Sequence, residues 1–561
     1  MKMMKHFFQK YRWQLSFAVV IIIAIATRFY QLGQVPTSLY WDEAAMLVDA
    51  KTVSQTGADM HGRSWYQLLY PSYGDYKLPV YIWLASVSVK LFGVTEWALR
   101  LPSALAGLGT VIMGGLIARQ LFNERRTQLM TMLVLALSPW AMMFSRTAFE
   151  GHVAQLWFSI SVWMLLKSRR HLGWLLGGTF FGILATYTYF SVRFVWPVVL
   201  VGVGLSWLLP KILLAKRKKL NLRATISQIG LHLVLPLVIF GLGLLPMIKS
   251  EFYHESQVFR YGTNSVLNYF NYPLTSNIYR QLAGESIIDR FFFHRHLLLL
   301  RELANNVFDH LSLNYLFVSG DSNLRHGTGE HGLFLLPLLP FFIAGLYQLF
   351  NKQRRVSIIL ICWWLAALIP AAVPETTPHA LRSLNGLVPL AIIISSGISY
   401  FWLKWRRVTI LLGLIWLIMA GEFFWYYFNI YPEKSAPDWQ QNYREMAITL
   451  EEYHDQADEV YLSGVDDKLY LWILAYGDYD GAEIQQLQSS NFHLKTFQKY
   501  HTTPYKWKNF AEMENGVVLI DSPNKIRERL EAKAGELEVV RAKDFYGNNG
   551  ADYQIIHIKP L

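Results

Sequence analysis

The sequence predicts a polytopic α-helical membrane protein of about eleven spans, followed by a small C-terminal α/β domain. Of its 561 residues, 53% are hydrophobic and only 16% are charged, whereas soluble domains carry about 25% charged residues. Long apolar runs alternate with short basic loops as far as Phe428. From Asn429 onward, short β-rich runs alternate with helical stretches, which is typical of an α/β domain.

The distribution of charge indicates a membrane topology and argues against a nucleic-acid partner. The net charge is +12, but the segment from Asn429 to the end has 14 basic and 22 acidic residues, so residues 1–428 carry +20. The N-terminus and the loops predicted to be cytoplasmic contain 22 basic residues and one acid, Glu124. Cytoplasmic loops of membrane proteins have this excess.

The spans follow from apolar length, since about 20 helical residues cross the hydrocarbon core. Met1–Arg12 is basic and predicted to be cytoplasmic, and Gln14–Tyr30 is predicted to be a retained first span. Pro79–Gly93 is short, and as a span it would put the basic cluster 123–126 outside, so we predict a juxtamembrane or partly inserted helix. The other predicted spans are 97–121, 129–144, 152–166, 172–190, 192–209, 229–248, 332–350, 356–372, 384–403 and 408–428.

This topology divides the chain into two predicted domains. Residues 1–428 form a membrane-embedded catalytic domain that includes the outer loops 31–95 and 249–331, and residues 429–561 form an extracytoplasmic accessory domain. The tail has no glycine-rich phosphate loop and no cluster with metal-ligand spacing. The single cysteine, Cys362, lies in an apolar run. Together with the basic inner loops, this low cysteine content agrees with a location in a bacterial plasma membrane.

Two groups of charged residues follow the first span on the predicted outer face. Asp42 and Glu43 are adjacent acids, and a charge at a membrane surface is often functional. Alternatively they start a surface helix, because acids favour a first turn. Asp75 and Lys77 precede the apolar helix, where Lys77 could snorkel or could hold a phosphate at headgroup level.

Two further groups lie in later outer loops. Arg146 and Glu150 are spaced i,i+4, so on a helix they could simply pair with each other. His379 and Arg382 lie where a span begins, and Arg382 could snorkel or could clamp a phosphate bidentately. An outward-facing transferase has no nucleotide sugar available, so it needs a flipped donor such as a polyprenyl-phosphate sugar. Such a donor requires a cation for its phosphate and a carboxylate that activates an acceptor hydroxyl.

The order of these motifs resembles the GT-C-fold membrane glycosyltransferases of family 39, the protein O-mannosyltransferase and aminoarabinose-transferase group. The resemblance covers roughly Met1–Tyr400. The matching motifs are Trp-Asp-Glu-Ala at 41–44, Gly-Asp-Tyr-Lys-Leu-Pro at 74–79, Ala-Leu-Arg-Leu-Pro-Ser at 98–103, Ser-Pro-Trp at 138–140, Phe-Ser-Arg-Thr-Ala-Phe-Glu at 144–150 and His-Ala-Leu-Arg-Ser-Leu at 379–384.

The resemblance implies inverting transfer from a polyprenyl- or dolichyl-phosphate sugar at the extracytoplasmic face. It implies that Asp42 is the base, that Glu150 is a second acid of the site, and that Lys77 and Arg382 face the donor phosphate. We predict that Arg146 and His379 also bind the donor phosphate. Glu43 belongs to the catalytic residues in a supporting role. Some relatives have an acid at the position of Tyr76. Its absence puts a divalent metal ion in doubt here, although Asp75 could compensate.

Two other functions remain open, a polyprenyl-linked glycan transporter or flippase and a polymerase or ligase with a diphosphate donor. A transporter predicts broken helices and paired repeats, and no repeat is visible in the sequence. A diphosphate-dependent enzyme would share the outer cations. The sugar is not specified, and the acceptor could be a protein, a lipid or a cell-wall polymer.

Overall fold

The computed structural model describes residues 2–561 except 73–74, 219–229, 264, 269–270, 454, 463–464, 466, 489–495, 498, 503–504, 508–509 and 548–549. Gly74 of the second motif and Arg223 of a predicted inner loop therefore lie outside the described residues. The chain forms two compact units, Met1–Tyr30 with Ser103–Trp425, and Gln31–Pro102 with Tyr426–Leu561. The loop 31–95, predicted to be outside, thus belongs to the same unit as the tail. The functional division at residue 429 stays a prediction.

Membrane-spanning helices confirm the predicted class. Among the described residues, six helices are long and apolar enough to cross a bilayer, and a bent pair makes a seventh candidate. The six are Tyr11–Phe29, Glu96–Phe122, Gly230–Ile248, Arg354–Ala371, Leu384–Lys404 and Arg406–Asn429, and the pair is Arg125–Leu137 with Pro139–Ser145.

The other four predicted spans also contain helices, but these have shorter apolar stretches. They are Gly151–Lys167, Leu172–Thr186, Val192–Lys218 and Leu339–Lys352. Three of these helices are 14–17 residues long, below the length of about 20 that crosses a bilayer upright. The total of eleven spans therefore stays a prediction. Pro79–Phe92 has only 14 residues, which agrees with a juxtamembrane helix.

The bent pair in the first unit turns by 60° at Pro139. Proline has no N–H and cannot continue the hydrogen-bond ladder, so the preceding carbonyls lose their partners. The buried guanidinium of Arg28 replaces them, donating to Leu135 O at 2.8 Å and to Ala136 O at 2.9 Å. Ser138 then caps the second helix by accepting from Ala141 N–H.

Close backbone contact between two helices forms part of the core of the first unit. The helix Leu387–Lys404 is almost wholly buried and packs on Leu339–Lys352. A Cβ at Gly345 would lie 2.0 Å from Ile393 O, and one at Gly397 would lie 1.8 Å from Phe341 O. Small residues permit this approach between membrane helices.

The segment 253–317 of the first unit, predicted to be outside, is a series of helices. They are Tyr253–Thr263, Asn271–Ala283, Ile287–Phe292, Arg295–Leu311 and Leu313–Phe317. Leu282, Ile287 and Phe308 are exposed. This exposure suits helices that lie on a membrane surface.

The second unit contains the Asp42 helix (Trp41–Thr56), the helix Pro79–Phe92 and a hairpin of β1 (Tyr70–Ser72) and β2 (Asp75–Lys77). Its tail part has a six-stranded sheet of β3 (Glu459–Tyr461), β4 (Thr496–Phe497), β5 (Tyr500–His501), β6 (Val517–Asp521), β7 (Leu537–Gly547) and β8 (Gly550–Pro560). The strand order is β4-β5-β3-β6-β8-β7, with β3 parallel to both β5 and β6.

Helices accompany this sheet and confirm the predicted α/β class of the tail. They are Tyr431–Ser435, Gln441–Tyr453, Tyr470–Tyr476, Gly481–Gln488 and Pro523–Glu531. The sheet and the helix Pro523–Glu531 share a buried hydrophobic cluster that includes Val517, Leu519, Ile526, Ile556 and Ile558.

Candidate active site

A lysine between two carboxylates marks the start of the Asp42 helix. In the β1–β2 hairpin, Asp75 pairs with Ser72 and Lys77 with Tyr70, so both side chains leave β2 on the same face. Lys77 is 8% exposed, and its ammonium contacts both Asp42 and Asp75, the latter at 2.8 Å. From the sequence, Asp75 was only a possible metal ligand, and in the structure it forms this ion pair.

Glu43 points away from this cluster into a second, fully buried ion pair. Arg100 donates to Glu43 through Nη2 at 2.8 Å and Nε at 3.2 Å, and neither side chain is exposed. The same guanidinium donates to Pro36 O and Ser38 O, while Glu43 accepts from Tyr40 N–H. This placement favours a structural role for Glu43, holding the loop against the helix.

Asp49 lies about two turns after Asp42 on the same helix. Its carboxylate is buried, and one oxygen accepts from Met60 N–H at 3.1 Å. Burial and the nearby carboxylate of Asp59 raise the pKa of Asp49 well above its ordinary value. This acid was not singled out by the sequence.

Arg146 is fully buried in the first unit, where it binds the end of the first span. Its Nη1 donates to Thr27 O at 3.2 Å and Arg28 O at 3.1 Å. Because one helix ends at Ser145 and the next begins at Gly151, Arg146 and Glu150 do not lie on a common helix. The common helix that their i,i+4 spacing allowed is therefore not formed.

His379 joins two residues that the sequence analysis missed, Asp321 and His326. The ligand atoms of these three side chains all lie within 4.8 Å of one another. The His326 and His379 rings are 4.6 Å apart, and Asp321 accepts from Asn323 and Ala380 N–H groups. Two imidazoles and a carboxylate form a ligand set that suits zinc or a related ion.

The electrostatic environment of His379 favours its neutral form, which is the form that binds metal. Burial, the His326 ring and the Arg382 guanidinium hold the pKa of His379 well below its ordinary value. Arg382 lies three residues on, and its backbone N–H donates to His379 Nδ1 at 3.4 Å. A polar, glycine-containing loop between apolar helices was the only sequence signal for Asp321 and His326.

The predicted site residues thus form two groups. Asp42, Glu43, Asp75 and Lys77 lie in the second unit, while Arg146, Glu150, His379 and Arg382 lie in the first. Within each group the structure brings together Asp42 with Lys77, and His379 with Arg382. That both groups face one substrate stays a prediction.

Comparison with known proteins finds similarity to membrane glycosyltransferases over part of the chain. Residues 76–240 match the family model for dolichyl-phosphate-mannose-protein mannosyltransferases. A protein of Aquifex aeolicus (strain VF5) is 31% identical over 129 residues, which are 22% of this chain and 23% of that protein. A candidate mannosyltransferase of Bacillus subtilis (strain 168), YkcB, is 30% identical over 106 residues, 18% of this chain and 15% of that protein. The matches therefore span less than a quarter of either relative.

A solved structure matches the whole chain. It is ArnT from Cupriavidus metallidurans bound to undecaprenyl phosphate, at 14% identity and a TM-score of 0.53, with 97% of each chain covered. This likeness concerns the fold, which is GT-C. The family model matches 165 of the 561 residues, so the chain is similar to these mannosyltransferases over that segment and has the GT-C fold.

Proposed function

We propose that this protein transfers a sugar from a polyprenyl-phosphate donor to an acceptor hydroxyl on the extracytoplasmic side, with inversion. The observation that carries the proposal is the contact between Asp42, a partly exposed carboxylate at a helix start, and the buried ammonium of Lys77. The solved ArnT structure holds undecaprenyl phosphate, and the family name refers to a dolichyl-phosphate donor. Both support a lipid monophosphate donor.

Asp42 acts as the general base in this mechanism. It takes the proton of the acceptor hydroxyl, whose oxygen forms a bond to the anomeric carbon as the bond to the lipid phosphate breaks. The electron pair of that bond leaves with the phosphate. Protonation of Asp42 removes one of the two negative charges that surround Lys77, so the field of Lys77 becomes available as negative charge develops on the phosphate.

The first-unit residues have proposed roles in binding the donor. Arg382 contributes positive charge toward the phosphate, and Glu150 contributes a second acid where the helix Gly151–Lys167 begins. Arg146 has a supporting role in this proposal, because it donates to Thr27 O and Arg28 O at the end of the first span.

Asp321, His326 and His379 are the residues that would hold a divalent metal ion. Their fit rests on the donor set and on the two backbone N–H groups that orient Asp321. A bound divalent ion would supply positive charge for a phosphate oxygen. His310 supports this cluster by accepting from the backbone N–H of His379 at 2.9 Å.

The experiment compares Asp42→Asn with Asp552→Asn, an exposed aspartate of the same unit. Detergent-treated membranes from a deletion strain supply both the accumulated donor and the unmodified acceptor, and mass spectrometry measures the polyprenyl phosphate released. Loss of a group that acts in the transition state costs about 10²–10³ in rate. We expect that loss for Asp42→Asn and none for Asp552→Asn. Near-normal turnover of Asp42→Asn refutes the assignment.

The predicted orientation can be measured independently. Only one cysteine, Cys362, must be replaced before single cysteines are introduced. An exposed outer position such as Tyr66 should react with a membrane-impermeant maleimide in intact cells. An exposed inner position such as Leu403 should react only after permeabilisation, because the basic loops are proposed to be cytoplasmic.

A flippase for polyprenyl-linked glycans is the second candidate, favoured by the broken span at Pro139. Broken helices occur in transporters. The two functions separate in the Asp42→Asn variant. A flippase would still move a fluorescent polyprenyl-phosphate analogue across proteoliposomes at the wild-type rate, whereas the transferase would lose polyprenyl-phosphate release.

A further inference from the structure

We propose that Gln440, in the C-terminal tail, is a positioning residue for the catalytic base. The inference rests on the proposed role of Asp42 and extends it. It assigns to the tail a function in the reaction itself, since the tail fixes the residues on both sides of Asp42.

The first turn of the Asp42 helix is capped in part from far along the chain. The Glu43 carboxylate accepts from the N–H of Tyr40, and the other first N–H groups of a helix also need partners. The N–H of Trp41 donates to Oε1 of Gln440 at 3.0 Å. A side chain 399 residues away therefore satisfies the backbone directly before Asp42.

The backbone of Gln440 is held in an unfavourable conformation to make this bond. Its φ is +50°, in the left-handed region that disfavours residues with a Cβ. Its N–H donates to Pro437 O and the next N–H donates to Ala436 O, which closes a tight turn. Strain of this kind persists where the surrounding structure over-determines it, often at functional sites.

Other tail residues contact the groups beside Asp42. Trp439 is fully buried and its ring lies 5.7 Å from the guanidinium of Arg100, the partner of Glu43. The ammonium of Lys468 lies 4.6 Å from the ring centre of Trp41. Thus tail residues contact the groups that hold position 43 and the side chain at position 41.

The far end of the Asp42 helix is also bound to the tail, which fixes the helix axis. Lys51 is buried and donates to Leu474 O at 3.1 Å and Gly477 O at 3.4 Å. The N–H of Gly481 donates to Gln55 Oε1 at 2.7 Å. With both ends held, the cap at Trp41 sets the position of the Asp42 carboxylate within the first turn. Displacement of a catalytic group by about 1 Å can cost about 10²-fold in rate.

Gln440→Gly tests this role, because it removes the cap and relieves the strain together. A merely structural residue in this conformation gains stability when glycine replaces it, without loss of rate. We expect Gln440→Gly to keep or raise the melting temperature while turnover in the deletion-strain membranes falls at least tenfold. The KM for the donor lipid extract should stay within twofold. Gln440→Glu retains an acceptor oxygen and should recover most of the turnover.

The matched control is Glu285→Gly, at an exposed residue with φ +60°. It should relieve the same kind of strain with turnover unchanged. Turnover of Gln440→Gly within twofold of wild type overturns the inference, as does a fall that follows a lower melting temperature or is not rescued by glutamate. If Asp42→Asn is inactive, these outcomes test only the role of Gln440. If Asp42→Asn is active, the proposed function itself fails.

Discussion

The buried ion pair of Glu43 and Arg100 allows a quantitative prediction about the stability of the Asp42 helix and the loop before it. Neither side chain is exposed, and the guanidinium makes four hydrogen bonds, two to Glu43 and two to loop carbonyls. Glu43→Gln preserves the shape but removes the carboxylate that pairs directly with the buried cation Arg100. Removal of one partner from a buried pair costs about 3–5 kcal/mol.

That cost converts into a large shift of the melting temperature. Compact units of about 150–250 residues shift about 2–4 °C per kcal/mol, so Glu43→Gln should lower the melting temperature of the second unit by roughly 6–20 °C. Differential scanning fluorimetry of the detergent-purified protein measures this shift. Glu536→Gln is the control, because Glu536 forms an exposed pair with Lys533, and exposed pairs contribute about 0–1 kcal/mol.

A double variant distinguishes a charge effect from a packing effect. In Glu43→Gln with Arg100→Met, no charge remains buried, so part of the stability should return relative to the sum of the single variants. The reasoning is refuted if Glu43→Gln melts like the Glu536→Gln control, or if the two single effects simply add.

Three further predictions concern other parts of the molecule. The pKa of Asp49 is raised in the folded protein, so the folded state binds this proton more tightly and stability falls as pH rises above the ordinary value near 3.8. Asp49→Asn should therefore melt higher than wild type at pH 8, and the difference should vanish near pH 4. His326→Ala should lose zinc that elemental analysis finds in the purified wild type, while the exposed His171→Ala retains it, and equal zinc in both would contradict the assigned ligands. A Cβ at Gly481 would lie 3.2 Å from the backbone of the Asp42 helix, so Gly481→Leu should reduce turnover, whereas Gly413→Leu, with nothing within 4 Å, should not.

The sequence predicts most of the fold here because its strongest signals are local. The lengths of the apolar runs and the basic loops between them predict the seven candidate spans directly. The count stays a prediction at Gly151–Lys167, Leu172–Thr186 and Leu339–Lys352, because these helices have 14–17 residues, fewer than the about 20 that cross a bilayer upright. Spacing also anticipated that Asp75 and Lys77 share a loop with Asp42, and the hairpin brings them into contact.

Contacts across long separations in the sequence could not be predicted in the same way. Gln440 reaches Trp41, and Asp321 meets His379, because of tertiary packing that leaves no periodic signal. Gln440 also breaks a local rule, since glutamine rarely adopts a positive φ. Local propensity fails where a distant contact imposes the conformation.

Cations at the predicted outer surface illustrate why a sequence motif does not by itself assign a role. Arg146 and Lys77 both lie in family motifs and both are buried, yet their partners differ in chemistry. Arg146 donates to the carbonyls that end the first span, and such neutral partners are lost if the guanidinium moves. Lys77 is bound by two carboxylates, one of which is the proposed base. In the proposed mechanism, a proton transferred to Asp42 weakens that attachment during the reaction itself, so Lys77, rather than Arg146, would have a charge that the chemical step can redirect toward the leaving phosphate.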